Sequence, residues 1–404
     1  MRIALATVGT TGDVRPFAIL ARDLAEHGHE VTAVTWPVHR AMLEQPGVRV
    51  EVAGSHTDPT RIAEVAAAAA GQKPMEQVAT LREFHLEDGA EHYRQLRNLL
   101  PGHDLVVLHG IHVLAHAVVL DERLRWATAV FDPVLLPTSA APPAGMPNLG
   151  PANRVAWWAL ERALERLGRP VDAVLEGAGS GQRGLPLFRS RSPLLHIVAC
   201  SPSIASVPPD LPAGAAFTGA WIDRSEPGPL PPAVEAFLAA GPPPIVITFG
   251  SMRGVRPDVL QGAVSQLVDG GRRVVVQGAV PDLGSSVLRV DEIDHRALFP
   301  RAELVVHHGG AGTTHAVVGA GVPSVVVPQI GDQPYWAGRL HRLGVAAAPI
   351  PVRSVSSRRL ADAVIETADR RSLRAAATVL GERVRAEDGV AASRTLIERA
   401  SSGS

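Results

Sequence analysis

One cysteine, Cys200, stands in a chain of 404 residues. It cannot form an internal disulfide or build a cysteine-based metal site, and such sparing use of cysteine fits a reducing compartment, the cytoplasm. Neither sign of charge is in excess. The 39 Lys and Arg face 40 Asp and Glu, a formal net charge of -1. That balance gives no electrostatic footprint for nucleic acid or an anionic membrane surface. Long apolar runs are also missing. The greasiest stretch, Leu105 to Leu120, is broken by His109, Gly110, His112 and His116 and falls short of the ~20 apolar residues a membrane helix needs. No secretory leader is expected, because Ile3 to Val8 is too short for an apolar leader core and runs into Gly12-Asp13.

What is present is enough apolar residue, 46%, to fill cores, in a length that calls for two or three domains. Ile3–Val8 reads as a buried strand. Gly9-Thr10-Thr11-Gly12-Asp13 reads as a turn, and a helical pattern opens at Pro16 with Phe17, Leu20, Leu24 and Ala25 on one face. Val31–Trp36 is the next strand, so the chain opens with a βαβ unit and a parallel sheet is expected. Further strands are predicted at Leu105–Leu108, Thr128–Phe131 and His196–Ala199. Alanine-rich Ala63–Ala70 reads as helix, Pro133–Pro151 as a long loop, and Trp157, Trp158, Leu160, Leu164 and Leu167 as an amphipathic helix. Proline-rich 223–243 reads as a linker with a short helix at Ala233–Ala239. Beyond it the alternation restarts, with strands at Ile245–Phe249, Arg273–Gln277, Leu304–His307 and Ser324–Val327. The predicted organisation is an N-terminal domain 1–222, a linker 223–243 and a C-terminal domain 244–404 whose last helix packs back on the first.

Two stretches carry chemistry. The run His307-His308-Gly309-Gly310-Ala311-Gly312-Thr313-Thr314 follows a strand and precedes a helix. Small residues let the backbone come close to a ligand, and free N–H groups at a helix start, with the helix dipole, attract anions. His308 and Thr313 add donors for phosphate oxygens. The bland alternative is a plain strand–turn–helix connection. Past the next strand comes Gln329-Ile330-Gly331-Asp332-Gln333. There a carboxylate and an amide side by side suit sugar hydroxyls, one accepting and the other accepting and donating. A solvated turn is the alternative.

From His307 to Leu343 the sequence, HHGGAGTTHAVVGAGVPSVVVPQIGDQPYWAGRLHRL, resembles the nucleotide-sugar signature of inverting GT-B glycosyltransferases, and more narrowly the bacterial antibiotic and sterol branch. Gly9–Pro16, Pro137-Thr138 with Pro142-Pro143, and Pro243–Met252 (PPIVITFGSM) match other family stretches in the same order. The resemblance implies an α/β chain of GT-B architecture, with two Rossmann-like domains whose parallel sheets face an interdomain cleft. It implies an inverting O-glycosyltransferase that moves a sugar from a UDP- or dTDP-sugar to a hydroxyl of an apolar natural-product or sterol-like acceptor. The nucleotide-sugar is a co-substrate, and no cofactor or metal is called for. No Asp-x-Asp pair, by which metal-dependent glycosyltransferases of the other major fold hold their metal, occurs in the chain.

Carried over residue by residue, His308, Gly310, Gly312 and Thr313 hold the donor diphosphate, Asp332 and Gln333 the sugar, and Ser251 the phosphates or reacting centre. Ile293 meets the nucleobase, although Asp294 stands where the family usually has proline. Asp13 is the base that deprotonates the acceptor, with Thr11, His109 and Trp157 in the acceptor site and His308 also catalytic. For Asp13 the alternative is an N-cap of the helix opening near Pro16; for Trp157 it is the core. The spacing of His109, His112 and His116 is compatible with a metal site, but no acidic partner is fixed by sequence, so none is assigned. The acceptor is expected to be chosen by the loops Ala53–Leu100 and Pro133–Ala159. The expected protein is a cytoplasmic monomer or homodimer. Two rivals remain: a nicotinamide-dependent oxidoreductase reading Gly9–Gly12 as an incomplete dinucleotide fingerprint, and a catalytically idle binding or helper protein of the same fold.

Overall fold

The computed structural model describes residues 1–70, 72–143, 146, 148–185, 190–250, 254–278 and 284–402. The chain divides into two compact units, one of Met1–Val65, Val78–Ile222 and Asp388–Ser404, the other of Ala66–Gln77 and Asp223–Glu387. Among the described residues no helix is long and apolar enough to cross a membrane.

The first unit is built on seven parallel strands: β1 (Arg2–Ala6), β2 (Glu30–Thr35), β3 (Val48–Val52), β4 (Leu105–His109), β5 (Trp126–Val130), β6 (His196–Val198) and β7 (Ala215–Phe217). Their order is β3-β2-β1-β4-β5-β6-β7. Inner strands such as β1 and β4 are buried along almost their whole length, as expected for a sheet covered on both faces. The helices that matter here are α1 (Thr11–Glu26), α2 (Gly89–Leu99), α3 (Val113–Asp121) and α4 (Asn153–Gly177). The greasy run Leu105–Leu120 is β4 plus most of α3, and α3 buries every residue from Val113 to Val119, which accounts for its lack of a polar face.

α1 starts five residues before Pro16, earlier than its sequence pattern indicates. Thr10 is the N-cap, and its backbone N–H and Oγ1 both donate to Asp13 Oδ2, at 2.7 and 2.8 Å. Asp13 thus sits three residues into the helix and holds the cap. Pro16 is tolerated so near the start because its missing N–H removes only one early helical bond. Val14, Phe17, Leu20, Ala21 and Leu24 form the buried stripe.

The second unit has five parallel strands, β8 (Ile245–Thr248), β9 (Val274–Gln277), β10 (Val287–Val290), β11 (Leu304–His307) and β12 (Ser324–Val326), in the order β10-β9-β8-β11-β12. Its helices include α5 (Pro257–Asp269), α6 (Ala311–Gly319), α7 (Gln333–Arg342), α8 (Ser357–Asp369) and α9 (Arg371–Ala386). The short helix in the proline-rich stretch runs Pro232–Ala239 and packs Val234 and Leu238 into this unit's core, so 223–243 clusters with the second unit.

Two further findings depart from the sequence reading. β3, β7 and β10 were not anticipated, and all three are sheet edges, where burial is partial and the apolar signal weak. Within Ala53–Leu100, helix Pro59–Ala69 covers most of the predicted Ala63–Ala70 helix, and helix Pro74–His85 and α2 stand where loop was expected. The C-terminal helix Gly389–Ser402 clusters with the first unit, in line with the expectation that the last helix packs back on the N-terminal domain. Arg394 Nη1 donates to both carboxylate oxygens of Asp23 on α1, at 2.7 Å each, and Ser393 Oγ accepts from Trp221 Nε1 at 2.7 Å.

Candidate functional site

In each unit the strand order reverses direction of travel at one place, between β1 and β4 in the first and between β8 and β11 in the second. Helices leave such a pair on opposite faces, and the crevice beyond its carboxyl ends is where open α/β sheets take ligands. The residues singled out by sequence cluster at these two places.

In the first unit Gly9 follows β1 with φ at +116°, and a Cβ there would lie 2.5 Å from Asp13 Oδ2. Only glycine allows the carboxylate to fold back onto the turn. With Oδ2 engaged by Thr10, Oδ1 is left facing His109 Nε2 at 4.0 Å. His109, the last residue of β4, is buried, and burial lowers its pKa while the Asp13 charge opposes the shift. Its ring lies 5.7 Å from Phe17 and 5.1 Å from Phe131. His39 closes the other side, with Nε2 2.8 Å from Gly9 O.

Asp132, which the sequence reading passed over, follows β5 and accepts from Val134 N–H at 2.8 Å. Burial first, then the neighbouring Asp13 charge, push its pKa up to about 6. Its only signal in sequence is a carboxylate after a predicted strand.

Thr11 is the first residue of α1. Trp157 is a core residue, 4% exposed, and its Nε1 donates to Ala141 O at 2.9 Å. It borders a cavity of about 170 Å3 with Arg154, Trp158, Glu161 and Asp210, too small for a polycyclic acceptor. Most of its side chain is thus engaged in packing, with an edge on that cavity. Asp210 takes Thr138 Oγ1 on one oxygen and Ser139 N–H and Oγ on the other, and these bonds hold its carboxyl below the usual range. His112 and His116 do not join His109 in a ligand set. The His112 ring lies 5.2 Å from that of His92, and the His116 ring packs on Trp126 at 4.8 Å. Among the described residues no group of three His, Cys, Asp or Glu is placed to hold a metal ion.

In the second unit β11 ends in His307, buried and held neutral by burial at a pKa of about 3, with Nδ1 accepting from Gly309 N–H at 3.2 Å. His308 points elsewhere. Burial lowers its pKa to about 4, so it is neutral near pH 7, and its Nδ1 has no hydrogen-bond partner among the described residues. Gly309 has φ at +90°, and a Cβ would lie 2.8 Å from Val326 Cγ1 and 3.1 Å from Gln333 O. The turn therefore packs directly on the next motif. Gly310 caps α6, whose first internal bond is Thr314 N–H to Gly310 O at 2.9 Å. The N–H groups of Ala311, Gly312 and Thr313 precede it and have no helical acceptor.

Gln333 is 5% exposed, and its Oε1 accepts from Gln329 N–H at 2.8 Å and Ile330 N–H at 3.1 Å. Its carbonyl thus closes the turn, and its amide N–H groups are the part left to meet a sugar hydroxyl. Asp332 Oδ2 accepts from Trp336 Nε1 at 2.7 Å, which fixes the carboxylate at the start of α7. Ile293 is half-buried against the Leu298–Phe299 core. Asp294 stands at the cap of the short helix His295–Leu298, accepting from Arg296 N–H at 2.9 Å, which explains a carboxylate where proline was expected. His295 stacks on Phe299 at 4.3 Å and meets Gln277 Oε1 at 3.1 Å. Ser251 lies outside the described residues.

Residues 261–391, which contain the His308 turn and the Asp332 turn, match the family described as the C-terminal domain of erythromycin biosynthesis protein CIII-like proteins. The chain is 34% identical to O-mycaminosyltylonolide 6-deoxyallosyltransferase of Streptomyces fradiae, covering 98% of this chain and 97% of the relative. It is 32% identical to vancomycin aglycone glucosyltransferase of Amycolatopsis orientalis, covering 99% and 98%. In fold it matches glycosyltransferase VinC in complex with dTDP at a TM-score of 0.69 and 20% identity, covering 100% of both chains. Two parallel α/β units with a glycine-rich helix start in the second, joined to this identity over nearly full length, make the chain a GT-B glycosyltransferase of the antibiotic and sterol family.

Proposed function

We propose that this glycosyltransferase moves a sugar, with inversion, from a UDP- or dTDP-sugar to a hydroxyl of an apolar natural-product or sterol-like acceptor, without a metal ion. The observation that carries the reading is the His308–Thr313 turn. A neutral imidazole and three acceptor-less N–H groups stand at the carboxyl end of a switch-point strand. Such a helix start takes the diphosphate, and the same donors stabilise the charge that builds on it as it leaves. Asp332, steadied by Trp336, and Gln333 beside it take the sugar hydroxyls. Ile293 and His295 border the place for the base.

In the first unit Asp13 Oδ1 receives the acceptor's O–H. The acceptor oxygen bonds to the anomeric carbon, the bond to the diphosphate breaks with its electron pair, and the configuration inverts. Thr11 and His109 flank the hydroxyl. The relatives' names give O-mycaminosyltylonolide and the vancomycin aglycone as acceptors, and the solved structure holds dTDP; these set the first substrates to try. The test is product formation, by mass spectrometry, from UDP- and dTDP-hexoses with macrolide, glycopeptide and sterol acceptors. No product from any pairing, with nucleoside diphosphates failing to bind, would refute the reading. The oxidoreductase alternative has no support in the second unit's turn.

A further inference from the structure

β1, β4 and β5 are neighbours in the first sheet, and each ends in a group that can hold a proton: Asp13 after β1, His109 at the end of β4, Asp132 after β5. Phe17 and Phe131, 5.9 Å apart and edge to face, pack on His109 from two sides. The cluster is thus a partly dry place at the sheet's carboxyl edge. Resting on the glycosyl-transfer reading, we propose that Asp132 is a second catalytic carboxylate, which takes up the acceptor's hydroxyl proton together with Asp13.

The two carboxylates are differently committed. Asp13 Oδ2 is tied to the α1 cap by two hydrogen bonds, and one oxygen is left for the acceptor. Asp132 has one bond, from Val134 N–H to Oδ1, and its Oδ2 has no hydrogen-bond partner among the described residues. The charge acting on Asp132 is that of Asp13; His109 and His39, the titratable groups packed around Asp13, have pKa values lowered by burial and are neutral at pH 7. Burial and the Asp13 charge push the Asp132 pKa up to about 6, nearer neutrality, where a general base is most effective. As the acceptor oxygen bonds to the anomeric carbon and the diphosphate leaves with the electron pair, the hydroxyl proton passes to the Asp13–Asp132 pair. Asp132 keeps it until the product departs, then returns it to water.

The experiment joins carboxyl-carbon NMR of the full chain labelled on aspartate with the pH dependence of kcat/KM from pH 5 to 8, for wild type, Asp132→Asn, Asp132→Glu and Asp13→Asn. One aspartate titrating near 6 in wild type, absent from Asp132→Asn and shifted down in Asp13→Asn, is expected. Asp132→Asn should lose ~100- to 10,000-fold in kcat/KM together with the acid limb near pH 6, while nucleoside diphosphate affinity stays within twofold. Asp132→Glu keeps a carboxyl and should recover the limb at reduced rate, which separates loss of the base from a folding defect. Wild-type rate and limb in Asp132→Asn, or no aspartate titrating near 6, overturns the proposal and leaves the transfer reading standing. Absence of transfer by wild type overturns both.

Discussion

Gly310 offers a direct test of His308, because alanine there disturbs almost nothing else. Its backbone, at φ −60° and ψ 148°, is open to any residue. A Cβ, however, would lie 2.5 Å from His308 Nε2 and 3.2 Å from Cδ2. No ordinary contact is that short, so the imidazole must move by most of an ångström. A hydrogen bond to a charged group contributes ~1.5–3 kcal/mol, and a donor displaced that far loses most of it. Gly310→Ala is therefore expected to weaken nucleoside diphosphate binding by ~10- to 150-fold, with affinity for the phosphate-free nucleoside unchanged. Its effect on folding should stay near the ~1 kcal/mol by which alanine is a poorer N-cap than glycine. His308→Ala should lose the same amount, and its loss in kcat should exceed its loss in binding, because charge on the diphosphate grows towards the transition state. The double variant should be no worse than either single one, a coupling of ~1.5–3 kcal/mol in the mutant cycle. Calorimetry on the four proteins reads this out. Additive losses, or equal losses for nucleoside and diphosphate, would mean that Gly310 acts through the helix start and that His308 is not the phosphate donor.

Asp13→Asn and Asp13→Ala should lose ~100- to 10,000-fold in transfer while donor affinity survives; near-normal turnover would leave Asp13 as a helix cap alone. Activity should persist in excess EDTA, and a strict need for added Mg2+ or Mn2+ would sink the charge-stabilisation argument for the His308 turn. Gly309→Ala combines a left-handed φ with a clash against Val326 and Gln333 O, so denaturant melts should show a loss of ~2–5 kcal/mol from strain and overpacking together; a loss under ~1 kcal/mol, the general scale of a single surface change, would contradict the packing. Buried histidines should make the fold acid-sensitive. His92, His307, His315 and His116 have folded pKa values of about 3, 3, 4 and 4, below the ordinary value of ~6.5. The unfolded chain thus binds more protons below pH 6.5, and stability, complete above that pH, falls as pH drops from 6.5 towards 3–4 by up to ~1.4 kcal/mol per pH unit per histidine. A midpoint that is flat from pH 7 to 4.5 would refute it.

Much of the architecture could be read from local pattern. Inner strands such as β1, β4, β8 and β11 are apolar on both sides, and only a parallel sheet covered on both faces asks for that. The order of motifs from Gly9 to Gln333 identified the family, because turn geometry demands particular small residues at particular spacings. The edge strands β3, β7 and β10 were not legible, since an edge buries too little to leave a pattern. Helices Pro74–His85 and α2 were hidden by their polar faces, while the alanine-rich run Ala63–Ala70 could be read as helix but not placed.

The sequence by itself determined the α/β class, the family and the residue types at the turns, because each depends on chain-local chemistry: periodicity, glycine freedom and helix starts. Tertiary structure decided what those residues are free to do. Burial left only an edge of Trp157 accessible, and the turn claimed the Gln333 carbonyl. Contact with Thr10 took one oxygen of Asp13. The C-terminal helix joined the first unit through Arg394 and Asp23, 371 positions apart. Asp132 became unusual only because the fold half-buries it at the same sheet edge as the Asp13 charge. Hydrogen-bond partners, desolvation and charge proximity are properties of neighbours in space, and no spacing along the chain encodes them.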